Sequence, residues 1–85
     1  MVIISNPRVE SMDGITFTGV RDGITQTFLV SREALEDLEY ESFTNGALML
    51  DAFGRQQQRV AEGAGRALDA GEAGPKAVLL RTLLF

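Results

Sequence analysis

Apolar and polar residues alternate most regularly between Ile15 and Val30, where two β-rich runs, 15–21 and 24–30, flank Asp22-Gly23. Asp-Gly is favoured at the centre of a type I′ hairpin turn, which needs positive φ at both positions. A two-residue loop fixes the register and pairs Ile15 with Val30, Phe17 with Phe28, Gly19 with Gln26 and Arg21 with Ile24 on one face. Thr16/Leu29, Thr18/Thr27 and Val20/Thr25 share the other. The first face carries the aromatic and β-branched core, and the second is suited to water. A slip of one residue would put the two phenylalanines on opposite faces, so the register is strongly specified.

Before the hairpin, Val2 to Ile4 predicts a short strand, and Ser5 to Gly14, with Pro7 and Asp13-Gly14, predicts a loop. After it, Ser31 is placed to cap a helix over 32–38, with Glu33 in the first turn and Ala34, Leu35 and Leu38 facing the sheet. A connection over 39–43 leads to a long helix capped by Thr44 or Asn45 and ending at Ala70, with Gly71 as terminator. Its expected core stripe is Leu50, Phe53, Val60, Ala64 and Leu68, with Gln57 as the polar intruder. Asp51, Arg55, Arg59, Glu62, Arg66 and Asp69 fall on the opposite arc in alternating sign, the pattern of a solvated helix face. Gly54, Ala61 and Gly65 share a flank whose small side chains would let another backbone come close.

Following the loop 71–75, the tail Lys76 to Phe85 is β-suitable and almost continuously apolar. Ala77, Leu79, Leu83 and Phe85 lie on one side and Val78, Leu80 and Leu84 on the other, which predicts a central strand or one covered by a second subunit. The fold class is α+β, one domain over 1–85: a small, mostly antiparallel sheet in the order β-β-β-α-α-β with two helices on one face. Such a sheet leaves its other face open. A homodimer is therefore expected, with Leu80, Leu84, Gly54, Ala61 and Gly65 as candidate interface residues.

Composition narrows the chemistry. The chain has 85 residues, 45% hydrophobic and 24% charged, which are globular proportions, and a chain this short buries only ~60–65% of its unfolded surface. Twelve acidic against eight basic residues give a net charge of −4, which disfavours a dominant nucleic-acid or anionic-membrane role. Zero His and zero Cys remove the usual neutral-pH base, the commonest metal ligand and the thiolate nucleophile. No cofactor is expected. The N-terminal MVIISNPR has no basic n-region or long apolar core of a leader, and no stretch approaches the ~20 apolar residues of a membrane helix, so a cytosolic protein is the simplest expectation.

Candidate motifs are weak. Gly71-Glu-Ala-Gly74-Pro-Lys76 lacks the spacing of a phosphate-binding loop, and Gly63-Ala-Gly65 lacks a third glycine and a preceding strand. Glu33, Glu36, Asp37, Glu39 and Glu41 form an acidic run that reads as a solvated helix face rather than a calcium loop. Arg55, Arg59 and Arg66 are candidate anion contacts, though interleaved carboxylates neutralise them. Ser5, Ser11, Ser31 and Ser42 have no His base, and Lys76 sits in a loop without an apolar pocket. The expected function is a non-catalytic interaction or binding module acting as a homodimer. The alternatives are a small-ligand or catalytic site at the subunit interface, and phosphate or nucleic-acid binding by the three arginines.

The order of hairpin, Val30-Ser31-Arg-Glu33-Ala34-Leu35-Glu36-Asp37-Leu38, long helix with Phe53, Val60 and Ala64, and the closing Val78-Leu79-Leu80 and Phe85 resembles the small bacterial domain-of-unknown-function family 1488. Members often carry an Arg four residues after the Phe, where this chain has Gln57, with Arg59 nearby. The resemblance spans nearly the whole chain and implies a compact α+β domain. It brings no activity with it.

Overall fold

The computed structural model describes residues 2–82 and 85. Four strands, β1 (Ile3–Glu10), β2 (Gly14–Arg21), β3 (Ile24–Ser31) and β4 (Val78–Leu80), form one sheet in the order β1-β2-β3-β4. Among the described residues three α-helices, α1 (Arg32–Glu39), α2 (Gly46–Arg55) and α3 (Gln57–Asp69), precede β4. The first three strands are an antiparallel meander, and β4 joins β3 in parallel, so the fold is α+β with a mostly antiparallel sheet, as expected.

The hairpin has the expected register, from Gly14 opposite Ser31 to Arg21 opposite Ile24. Asp22 and Gly23 both have positive φ, 52° and 79°, as a type I′ turn requires. Ile15, Phe17, Phe28 and Val30 are buried on one face, where the Phe17 and Phe28 rings stack with centroids 5.2 Å apart. Gln26 shares that face and is buried. Its Nε2 donates to the Lys76 carbonyl at 3.1 Å and its Oε1 accepts from the Gly74 N–H at 2.9 Å, so one side chain holds the approach to β4.

Both helix starts follow local chemistry. The Ser31 hydroxyl accepts from the Ala34 N–H at 3.1 Å, and the Asn45 side chain accepts from the Leu48 N–H at 3.0 Å. α1 ends at Tyr40 in the left-handed region, φ 56°, with its N–H on the Glu36 carbonyl. α1 packs on β2 and β3, α2 on β1 and β2, and α3 on β1 and β4. Phe53 brings α2 onto the sheet, its ring 5.4 Å from that of Phe17.

Three expectations need correction. The first strand is longer than 2–4, and the segment read as a loop mostly continues it. Asn6, with φ 52°, and Pro7 bulge where the register shifts between Ser5 and Arg8, so Pro7 sits on an edge strand that needs no N–H from it. The long helix is two helices. It breaks at Gln56, whose N–H bifurcates to the Ala52 and Phe53 carbonyls. The buried positions become Met49, Ala52 and Phe53 on α2 and Val60, Gly63, Ala64 and Ala67 on α3, while Leu50 is 38% exposed and Gln57 faces water. Finally, β4 is a three-residue edge strand, not a central one: Val78 and Leu80 enter the core and Leu79 points to the open face.

Two glycines predict opposite responses. A Cβ on Gly54 would meet nothing, so Gly54→Ala should stabilise by about 0.5 kcal/mol through the cost of glycine in a helix. A Cβ on Gly14 would collide with the Val30 carbonyl, so Gly14→Ala should destabilise by about 1–3 kcal/mol. Urea unfolding of both variants reads the two signs.

Candidate functional site

The residues that close the core also shape the surface. α3 lies beside the edge strand β1, and between them runs an open hollow of about 840 Å³. Val2, Ile4, Ala61 and Gly65 give it an apolar floor. Val2 is buried and Ile4 and Ala61 are partly covered, while Ile3, opposite Val20, borders the hollow from the strand and turns its exposed side chain to the open sheet face. Gln57, Gln58, Glu62 and Arg66 rim it from α3. At one end Arg21 reaches from β2 to α3, its Nη1 donating to Asp69 at 2.8 Å and to the Gly65 carbonyl at 3.4 Å. A Cβ on Gly65 would rest in ordinary contact, 3.9 Å, with both the Arg21 guanidinium and Val2, so the approach itself does not demand a glycine.

The break between α2 and α3 has its own polar centre. Glu39, at the end of α1, is 11% exposed. Arg55 donates from Nε at 2.8 Å and from Nη2 at 2.6 Å to one Glu39 oxygen, and Gln56 donates from Nε2 at 2.6 Å to the other. These bonds, that from Arg55 first, hold the Glu39 carboxyl below its ordinary value and raise the Arg55 guanidinium above its own. The junction is a structural clamp that spends Arg55 within the chain.

The expected site residues therefore part company. Arg55 is in the clamp, Arg59 lines a small hollow with Asp37, Tyr40, Thr82 and Phe85, and Arg66 lines the α3/β1 hollow, so the three do not converge on one anion site. Leu80 is fully buried in the chain's own core and offers nothing to a partner. Leu84 lies outside the described residues. Gly54 is exposed on α2, separated by the break from Ala61 and Gly65, which do share the hollow. The acidic run is divided among local tasks: Glu36 accepts from the Phe43 N–H at 3.0 Å, Asp37 accepts from the Thr82 hydroxyl at 2.9 Å, and Glu39 serves the clamp. Among the described residues, no group of three or more His, Cys, Asp or Glu is gathered as for a metal ion, and no helix is long and apolar enough to cross a membrane.

Sequence reasoning gave Arg21 no role beyond its strand and read Glu39 only as part of a solvated acidic face. Nothing local marks them, because each acts through a partner distant in the chain. Comparison with family models, curated proteins and solved structures gives no match to any of them.

The clamp predicts a pH dependence. A carboxyl held below its ordinary value of 4.5 contributes stability that is full above that value and is lost as pH falls through the depressed one. Glu39→Gln should thus melt below the wild type at neutral pH, and the gap should close on acidification. Thermal unfolding of both proteins from pH 7 to about pH 3 tests this.

Proposed function

We propose that the chain is a non-catalytic interaction module that works as a homodimer. The observation that carries this reading is the surface between α3 and β1, where an apolar floor of Val2, Ile4, Ala61 and Gly65 is ringed by Gln57, Gln58, Glu62, Arg66 and Asp69. An apolar centre inside a polar rim is the anatomy of a protein interface. Ala61 and Gly65, the two small residues of the expected interface flank that stay together, lie within it.

Supporting the non-catalytic part, the sequence holds no His or Cys, and Glu36, Asp37, Glu39 and Asp69 are engaged by Phe43, Thr82, Arg55 and Arg21 respectively. The hollow itself favours a second reading, a small-ligand site completed at the subunit interface, since it has the volume and the mixed lining of ligand sites. Kinship with domain-of-unknown-function family 1488 is part of the same proposal and rests on the hairpin and the 30–38 segment. So does a cytosolic setting, in keeping with a chain that has no cysteine to oxidise.

Light scattering after gel filtration is the test. At about 50 μM, well above the dissociation constant of a modest interface, the expected mass is twice the chain's 9.2 kDa. A mass of 9.2 kDa at that concentration would overturn the homodimer.

A further inference from the structure

How two copies meet is written in the order of charges on α3. Arg59, Glu62, Arg66 and Asp69 are all exposed. Counted outward from Ala64, they stand five and two residues before it and two and five after it, with signs plus, minus, plus, minus. Turned end for end about Ala64, the helix therefore sets Arg59 against Asp69 and Glu62 against Arg66, opposite charges at every position. A parallel copy would set like against like.

The faces agree with this arrangement. At ~100° per residue the four charges fall within ~80° of arc, and Gly65 and Ala61 follow on the side toward β1. A two-fold axis perpendicular to two antiparallel helices keeps each flank on its own side. The charges of both copies thus meet along one side of the contact. On the other, the small residues interleave along the seam as Ala61, the partner's Gly65, Gly65 and the partner's Ala61. That seam borders the hollow floored by Val2 and Ile4. An isologous dimer requires one patch that is complementary to itself, and this patch meets that requirement in both charge and bulk.

We propose that two copies pair through α3, antiparallel about a two-fold axis beside Ala64, with Glu62 of each on Arg66 of the other and Arg59 near Asp69, which keeps its bond to Arg21 of its own chain. This deepens the homodimer reading and rests on it. A helix of 13 residues is ~20 Å long, so the footprint is a few hundred Å² per copy, at the small end of specific interfaces. Charge order then decides partner choice more than total affinity.

Charge reversal tests the pairing. Glu62→Arg alone and Arg66→Glu alone each create two like-charge contacts across the axis, and each should weaken the dimer about tenfold by sedimentation equilibrium at low salt. An equimolar mixture of the two variants restores both opposite-charge contacts and should form a heterodimer about as tight as the wild type. Circular dichroism melts check that each variant is folded, and recovery in the mixture would itself exclude misfolding. Thr27→Lys, on the open sheet face, should leave the dimer unchanged. Unchanged affinity in the α3 variants, weakening without recovery in the mixture, or dissociation by Thr27→Lys would overturn the α3 pairing while the homodimer stands. A monomeric wild type would overturn both.

Discussion

The contact on which the rest of the structure depends is the triangle of Phe17, Phe28 and Phe53. Phe17 and Phe28 stack across the hairpin at 5.2 Å, and the Phe53 ring meets Phe17 at 5.4 Å and a tilt of 51°. The first pair exists only in the register that the Asp22-Gly23 turn enforces. The second ties the helical layer to the face so defined. A buried phenylalanine is worth about 3–5 kcal/mol by truncation, a large part of what a small domain holds in reserve. One turn dipeptide thereby selects the face that receives the helices.

Long-range polar contacts add to this apolar packing. Glu39 grips Arg55 and Gln56 and so joins the end of α1 to the α2/α3 break, while Gln26 fastens the backbone of Gly74 and Lys76 and presents β4 to β3. A parallel pair of three residues is a weak ladder by itself, so β4 depends on Val78 and Leu80 entering the core and on the Gln26 amide. Phe85 lies against α3 at Gly63, where a Cβ would collide with its ring. The buried glycine of α3 is therefore explained by the C-terminal residue and not by a second chain.

This division accounts for what was legible in the sequence. The hairpin register and the caps at Ser31 and Asn45 could be read because each is decided within a few residues. The length of β1 could not: Asn6-Pro7 has the composition of a loop, and only the facing strand shows that it is a bulge. The break at Gln56 was hidden because Glu39, which draws its side chain, lies 17 residues earlier. Leu80 looked like an interface residue because an apolar run does not say whether its cover comes from the same chain. Among the site residues, the Ala61/Gly65 flank was legible from helical spacing, whereas Ile4 and Arg21 joined it only through the meander that sets β1 beside α3.

The exposed face of α3 shows why a charge pattern can have two meanings. Within one helix, Arg59, Glu62, Arg66 and Asp69 are spaced for i,i+3 and i,i+4 pairing, worth a few tenths of a kcal/mol per pair, a pattern that suits a solvated surface. Because exposed charge pairs of this kind are weak, forming them across a two-fold axis costs little and gains little. The gain in an α3 pairing must then come from apolar contact along the Ala61/Gly65 flank, and the charges choose orientation and partner. Association built this way is modest in strength and most discriminating at low ionic strength, where like-charged alternatives are penalised most. The folded chain keeps its core whether or not it pairs, since Leu80, Phe53 and Val60 are already buried within a single copy.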